Sequence, residues 1–336
     1  MRKLLVLYMA LSFSTLSISL SPVLAAAASK SSHRLNLNSS KYKLIKSGSV
    51  QRVSKVRNHI RASKAAVIYA DSYDGSSPLR LASAKVLVIN QLTGETIYAK
   101  NTNLPTPIAS VTKLMTAMVM LDAHLPMNDL LYIADEDVDY LKGTHSRLSV
   151  GSSLTRGELL QLALMASENR AASSLGRNYP GGVGAFVRAM NLKAALLGMK
   201  SSHFVDPTGL DSNNVSTAED LAKMVNAAYH YPEIRQVTTT PSQEITLYGR
   251  NNPINFVNTN ALVRTGSDKW IIGLSKTGFI NEAGRCLVMQ AEISGQPMII
   301  VLLDSEGKQT RIGDANRIRK WIEYNDKSSL GENVSG

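Results

Sequence analysis

Ser110 and Lys113 lie three residues apart and carry a hydroxyl and an amine, the two groups needed for a nucleophile and its base. A serine hydroxyl is a weak nucleophile until a neighbouring base takes its proton, and a lysine serves as that base if its amine is held neutral. The segment 109–121 lacks glycine and proline, and its large apolar residues recur at helical spacing. We therefore expect a buried helix that carries both side chains on one face.

This spacing of serine and lysine also occurs at Ser40–Lys43 and Ser305–Lys308, so by itself it does not indicate catalysis. A second polar group supplies context. Ser167 and Asn169 separate two apolar segments that we expect to be helices. Buried polar side chains are costly without partners, so this pair indicates either a satisfied helix junction or part of a site.

A third polar group lies near the C-terminus. Lys276 and Thr277 are followed by Gly278 at the end of a strand-like segment, and a glycine there leaves room for a substrate backbone. The order along the chain is therefore S-x-x-K, S-x-N and K-T-G. Another S-x-N occurs at Ser212–Asn214, within a turn and without a helix junction.

The elements around these groups indicate a mixed fold. A hairpin is predicted over residues 85–98, residues 108–230 are mostly helical, and a helix is expected over 312–322. Strand-like runs separated by short turns then cover 270–276, 285–293 and 298–303. Together they predict an α/β (α+β) protein with a five-stranded antiparallel sheet, flanking helices and an inserted helical lobe at about 122–235.

Several local features of the lobe are predicted more finely. The acidic run Asp135–Asp139 lacks calcium-loop spacing and is expected to be a solvated loop. The glycine-rich stretch Pro180–Gly184 is expected to be a turn before a helix at Phe186–Leu197. A further turn is predicted at Asp206–Leu210, and Ser216 is expected to cap a helix that ends at Tyr229.

The N-terminus has the layout of a secretory signal. Two basic residues precede an apolar segment at 4–13, and small residues fill 25–28, so residues 1–28 are predicted to be a signal peptide. The alternative is an uncleaved membrane anchor. Export would place the mature chain outside the cytoplasm. Cys286 is the only cysteine, which excludes an intramolecular disulfide, and we expect it to be a small buried hydrophobe.

The net charge of +11 is unevenly distributed. Residues 29–80 carry eleven Lys or Arg against two Asp, whereas 81–336 holds 24 basic and 24 acidic residues. We interpret 29–80 as a flexible basic extension, either a solvated tether or a segment attracted to an anionic envelope surface. Secretion argues against a nucleic-acid partner. The catalytic domain is predicted at 81–325, followed by a polar tail at 326–336.

The three ordered groups are the signature of the penicillin-recognising serine enzymes. Four segments make the resemblance specific: Pro107–Ala117, Ala166–Ala172, Asp206–Leu210 and Lys276–Phe279. They resemble the D-alanyl-D-alanine carboxypeptidases and endopeptidases among the low-molecular-mass penicillin-binding proteins, most closely the periplasmic DD-endopeptidase branch. The resemblance covers about residues 82–324 and implies a fold of the serine β-lactamase and DD-peptidase type.

The resemblance also implies roles. Ser110 would attack a D-Ala carbonyl to form an acyl-enzyme while Lys113 accepts its proton, and Ser167 would pass a proton to the leaving amine. Lys276 would keep the Lys113 amine neutral by repulsion. The backbone N–H groups of Ser110 and Phe279 would form the oxyanion hole. The substrate-binding residues implied are Asn169, Lys276, Thr277, Gly278 and Phe279.

The implied substrates are peptidoglycan stem peptides, with β-lactams as covalent inhibitors and no metal or cofactor. Trimming of terminal D-Ala by a DD-carboxypeptidase and binding by a non-catalytic wall protein remain alternatives to cross-link hydrolysis. A β-lactamase is disfavoured because the class A deacylating segment is absent from the sequence. A metallopeptidase is disfavoured by the lack of H-E-x-x-H, and the G-x-S-x-G of hydrolases with a Ser-His-Asp triad does not occur either.

Overall fold

The structure is a computed structural model that describes residues 74–247, 252–265 and 270–332. The predicted signal peptide and most of the predicted basic extension fall outside these ranges. Within them, no helix combines the length and the apolar character that a membrane crossing requires.

Eleven strands occur among the described residues, and five of them form one antiparallel sheet in the order β2, β1, β11, β10, β9. The predicted hairpin and the three late strands are confirmed, because β1 and β2 form the hairpin and β9 to β11 follow one another as neighbours. Pairing of β1 with β11 joins the two halves. The strands are β1 (Lys85–Asn90), β2 (Thr96–Lys100), β3 (Thr106–Pro107), β4 (Leu130–Tyr132), β5 (Ser153–Thr155), β6 (Val215–Ser216), β7 (Ser242–Ile245), β8 (Ile254–Val257), β9 (Ile271–Ile280), β10 (Gly284–Ile293) and β11 (Gln296–Ser305).

Most of the helices lie between the first hairpin and the late strands, as the sequence predicts. The described α-helices are α1 (Lys113–Asp122), α2 (Arg156–Met165), α3 (Asn169–Arg177), α4 (Gly182–Leu196), α5 (Ala218–Tyr229), α6 (Pro232–Thr239), α7 (Ala261–Arg264) and α8 (Thr310–Glu332). The N-terminus of α2 has a capping box, in which Thr155 and Glu158 satisfy each other's backbone N–H groups.

The sheet is buried on both faces, because side chains alternate between two apolar clusters along its strands. Leu87 of β1 packs with the helical lobe, whereas its neighbours Val86 and Val88 pack on the opposite face with residues of α8. Cys286 of β10 is fully buried on the lobe side, as expected for a small hydrophobe. Burial raises the pKa of its thiol to about 11.

Three helix boundaries differ from the sequence-based expectation. Helix α4 begins at Gly182, inside the predicted glycine-rich turn, and α8 continues to Glu332, into the predicted polar tail. Helix α5 is capped by Thr217, whose side chain accepts a hydrogen bond from the backbone of Asp220. Ser216 cannot cap this helix because it belongs to β6, which pairs with β3.

The acidic run is less solvated than expected. Residues Asp135–Asp137 form a 3₁₀ turn, and the carboxylate of Asp137 is fully buried. It pairs with Arg177 of α3 at 2.9 Å and accepts a hydrogen bond from Ser173 at 2.8 Å. The prediction of a solvated loop is therefore wrong for Asp137, whose charge is balanced inside the lobe. Within the described residues no group of three metal-ligating side chains is found.

Candidate active site

Ser110 lies in a 3₁₀ turn, Ala109–Thr112, and the α-helix begins only at Lys113. The expected continuous helix is therefore wrong at this point. The two side chains still meet because residues three apart are eclipsed in a 3₁₀ turn. The amine of Lys113 donates a hydrogen bond to the Ser110 hydroxyl at 3.0 Å.

The Lys113 amine is completely enclosed, with no exposed side-chain surface. It also donates hydrogen bonds of 2.7 Å to the Asn169 side-chain oxygen and to the backbone carbonyl of Thr208. Burial lowers the pKa of Lys113 to about 7, although nearby carboxylates, foremost that of Asp206, oppose this shift. An amine with a pKa near 7 is neutral often enough at physiological pH to accept the proton of Ser110.

The turn that carries Thr208 is built by Asp206 and Asn214. Asp206 accepts hydrogen bonds from the backbone nitrogens of Thr208 and Gly209, and the amide of Asn214 donates to its carboxylate at 2.6 Å. Asn214 comes from the second S-x-N of the sequence, so one residue of that pair supports the turn beside the site. The turn was predicted, but the role of Thr208 was not, since a backbone carbonyl leaves no trace in residue type.

The junction between α2 and α3 lies in the candidate site. The sequence had left open whether it was only a satisfied helix junction or part of a site. Ser167 has a left-handed backbone with φ of 59°, a conformation that is uncommon for residues other than glycine. Its hydroxyl accepts a hydrogen bond from Lys276 at 2.9 Å. The amide nitrogen of Asn169 donates to the Thr144 hydroxyl at 3.0 Å, and Thr144 is another residue that the sequence did not indicate.

Lys276 and Thr277 lie in the middle of β9, the edge strand of the sheet, and not at its end. Both side chains are buried. The Lys276 amine donates to the Thr277 carbonyl at 2.9 Å, and the Thr277 hydroxyl donates to the hydroxyl of Thr259 at 2.7 Å. Thr259 precedes helix α7 and was not predicted.

Burial holds the pKa of Lys276 well below its usual range, and the charges of Lys113 and Arg311 lower it further. The sequence-based expectation was that repulsion from Lys276 keeps Lys113 neutral. In the structure burial is the cause of the shift at Lys113, and the effect of the neighbouring charge falls on Lys276. Two buried amines in one cleft favour a state in which at least one of them is neutral.

Gly278 lets the edge strand approach the serine. A Cβ atom on Gly278 would lie 3.1 Å from the Cβ of Ala109 and would crowd the backbone of the 3₁₀ turn. Strand β9 therefore runs beside the backbone nitrogen of Ser110, as the predicted oxyanion hole of Ser110 and Phe279 requires. The ring of Phe279 is half-exposed and lies under the Arg285 guanidinium, 4.3 Å from its centre.

Residues 28–307 match the sequence model of the peptidase S11 family, and this family is described as D-alanyl-D-alanine carboxypeptidase. The chain belongs to this family. It is 50% identical to a D-alanyl-D-alanine endopeptidase of Pseudomonas aeruginosa over 250 residues, which are 74% of this chain and 80% of that protein. It is also 46% identical to a D-alanyl-D-alanine endopeptidase of Escherichia coli over 248 residues, 74% and 79% of the two chains.

The fold is that of solved family members. The crystal structure of the Streptomyces K15 DD-transpeptidase superposes with a TM-score of 0.67 at 28% sequence identity, covering 73% of this chain and 98% of that one. The resemblance to the DD-peptidases and the predicted five-stranded sheet with a helical lobe are both confirmed. The family also makes the chain a serine peptidase, as predicted.

Proposed function

We propose that this protein is a serine DD-peptidase that hydrolyses D-alanyl bonds in peptidoglycan, with cross-links between stem peptides as its main substrate. One observation carries the proposal: a fully buried amine, with its pKa lowered to about 7, lies 3.0 Å from the hydroxyl of Ser110. A serine next to such a base can attack an unactivated peptide carbonyl. Peptidoglycan is suggested by the family, because its members' names specify D-alanyl-D-alanine.

The first half of the reaction forms the acyl-enzyme. Ser110 Oγ bonds to the carbonyl carbon of a D-Ala residue while its proton moves to the Lys113 amine. The resulting oxyanion is stabilised by the backbone N–H groups of Ser110 and Phe279. When the C–N bond breaks, the proton held by Lys113 reaches the leaving amine by way of the Ser167 hydroxyl, so that Lys113 is neutral again. The Ser167 hydroxyl is held by a hydrogen bond from Lys276.

The second half releases the acyl group. Water attacks the ester carbonyl of Ser110, with the neutral Lys113 amine accepting a proton from that water. The tetrahedral intermediate then collapses to a carboxylic acid as Lys113 returns this proton to Ser110 Oγ, which restores the free serine. Asn169 holds both the Lys113 amine and the Thr144 hydroxyl, so it links the base to the wall of the cleft against which a peptide would lie.

Cross-links are the preferred substrate in this proposal because the Pseudomonas aeruginosa and Escherichia coli relatives are named endopeptidases. Trimming of terminal D-Ala is the second candidate, favoured by the description of the family as carboxypeptidases. Purified protein offered a cross-linked dimer and a monomeric pentapeptide should cleave the dimer with the higher kcat/KM. Cleavage of the pentapeptide alone would reject the endopeptidase assignment.

The catalytic proposal itself is tested by mass spectrometry of the intact protein after exposure to benzylpenicillin. We expect a single adduct of one penicillin on the wild-type chain and none on Ser110→Ala. Rapid turnover of penicillin without a lasting adduct would indicate a β-lactamase instead. An adduct that survives in Ser110→Ala would show that the nucleophile is another residue.

We further propose that the chain is exported to the periplasm and that residues 29–80 associate with anionic envelope polymers or lipids. The support is the signal-like layout of 1–28 and the excess of nine positive charges in 29–80. Such an association weakens with ionic strength. Fractionation at low and high salt should release the full chain into the soluble fraction at high salt only. Deletion of 29–73 should abolish that difference, and an unchanged partition would overturn this proposal.

A further inference from the structure

The cleft that holds Ser110 is bridged at both ends. One wall is strand β9, and the other is formed by the α2–α3 junction and by residues 139–147, which we call the cleft loop. At one end Lys276 of β9 donates a hydrogen bond to Ser167 of the junction. At the other end Lys142 of the cleft loop forms an ion pair with Glu282, in the turn that follows β9. Gly278, beside Ser110, lies between the two bridges in the chain order of β9.

The cleft loop is held in a fixed shape beside the active site. The carboxylate of Asp139 accepts hydrogen bonds of 2.9 Å from the backbone nitrogens of Lys142 and Thr144. Thr144 in turn accepts from Asn169, and Ser146 donates to the buried Glu168 at 2.6 Å. The loop therefore presents Lys142 from a scaffold attached to the catalytic residues.

The direction of the substrate follows from the proposed function, on which this inference rests. The leaving amine must face Ser167 to receive its proton, so the leaving group occupies the Lys276 end of the cleft. The acyl part must then extend the other way, past Phe279 towards Glu282. With a rise of about 3.3 Å per strand residue, Glu282 lies at most about 13 Å beyond Gly278. One backbone residue and a long unbranched side chain span a comparable distance.

We propose that Lys142 and Glu282 form a subsite for the residue that precedes the reacting D-Ala, and that this subsite selects a side chain ending in both a carboxylate and an ammonium. The side chains of Lys142 and Glu282 are 26% and 43% exposed, so both charges are open to a ligand. The carboxylate would bind Lys142 and the ammonium Glu282. When the ligand replaces the Lys142–Glu282 ion pair with two ion pairs of its own, no charge is left unpaired. The free-energy cost of breaking the original pair is therefore low.

The surface next to the pair suits the rest of such a side chain. Tyr140 and Leu141 precede Lys142 in the cleft loop and are 82% and 62% exposed, which is unusual for large apolar side chains. Methylene groups leading to the charged end can pack against them. An ion pair this exposed contributes little to the free energy of folding, so stabilisation of the fold does not explain the Lys142–Glu282 pair.

The subsite is tested with three pentapeptides that differ only in the residue before the terminal D-Ala-D-Ala: diaminopimelic acid, lysine and N-acetyl-lysine. We expect wild-type kcat/KM to fall about tenfold at each step, as expected for the loss of one charged contact. Lys142→Met should make the diaminopimelyl and lysyl peptides equivalent. Glu282→Gln should make the lysyl and N-acetyl-lysyl peptides equivalent.

Lys193→Met is the matched control, because Lys193 forms an ion pair with Asp122 of similar exposure at the far end of α1. It should preserve all three ratios. If Lys142→Met and Glu282→Gln lowered every kcat/KM by the same factor, the pair would only position the loop and the subsite would be rejected. Absence of a penicillin adduct on the wild-type chain would instead reject the proposed catalytic function, so the two failures can be told apart.

Discussion

A Cβ atom on Gly278 would lie 3.2 Å from the backbone nitrogen of Ser110, and only 2.9 Å from the carbonyl oxygen of Ile108. The backbone of strand β9 therefore packs directly against the backbone of the 3₁₀ turn that carries Ser110, with no side chain of residue 278 between them. The position of the Ser110 N–H relative to β9 depends on this contact. Any side chain at position 278 must push the two apart.

We therefore expect Gly278→Ala to reduce kcat/KM for acylation by about 10²-fold, the cost typical of a misplacement near 1 Å in a catalytic site. The free energy of unfolding should fall by about 1–3 kcal/mol because backbone atoms cannot yield as side chains do. Gly184→Ala in α4 is the control, since its Cβ meets only the end of Arg188 at 3.5 Å. That variant should keep full activity; comparable losses in both would contradict the argument.

Acylation should depend on pH through Lys113. Its pKa is lowered to about 7, so the neutral amine that acts as base accumulates as pH rises. The rate of penicillin acylation should be about tenfold lower at pH 6 than at pH 8 and level off above that, as a single titration at 7 requires. Stopped-flow measurements across this range provide the check. A rate that falls between pH 6 and 8 would rule out a neutral Lys113 as the base.

Asn214→Ala should impair catalysis although the hydrogen bonds of the Lys113 amine go to Ser110, Asn169 and Thr208 and not to residue 214. Loss of the amide frees the turn whose Thr208 carbonyl holds the Lys113 amine. Unsatisfied buried groups in that turn should cost about 1–3 kcal/mol in urea unfolding, and kcat should fall about tenfold. Ser212→Ala, at the other end of this S-x-N, should change stability by less than about 0.5 kcal/mol. Equal effects of the two variants would contradict this assignment.

Arg177→Met should be among the most destabilising changes in the lobe. It leaves the fully buried carboxylate of Asp137 without its cation, a situation that costs about 3–5 kcal/mol. Lys193→Met breaks the half-exposed pair with Asp122 and should cost less than about 1 kcal/mol. Urea unfolding of the two variants measures both losses of stability. Similar midpoints would show that the buried pair with Asp137 contributes no more than the exposed pair with Asp122.

Much of the fold could be predicted from the sequence because the long strands of the sheet are apolar runs separated by short turns. The three polar groups of the proposed site were accessible because two serines, two lysines and an amide act through their side chains. The 3₁₀ turn at Ser110 was not, since its apolar spacing is close to that of a helix. Its shape depends on tertiary contact: a Cβ on Gly209 would come within 2.0 Å of the Ala109 carbonyl oxygen.

The remaining misses share a physical cause. Thr208 contributes a backbone carbonyl, which any residue type carries, and Thr217 replaces its neighbour Ser216 as a cap because β-pairing occupies that serine. Lys142 and Glu282 are 140 residues apart, and each one resembles an ordinary surface charge in the sequence. Contacts that form only when distant segments fold together leave no local pattern.

The seclusion of Cys286 offers a way to observe how this protein opens. Its thiol is inaccessible and, with a pKa of about 11, almost entirely protonated at neutral pH, so alkylating reagents will not modify the native state. Modification must await separation of β10 from its neighbours in the sheet. The rate at which a maleimide modifies Cys286 in the wild-type chain will therefore report how often the sheet opens around β10. No engineered label is needed.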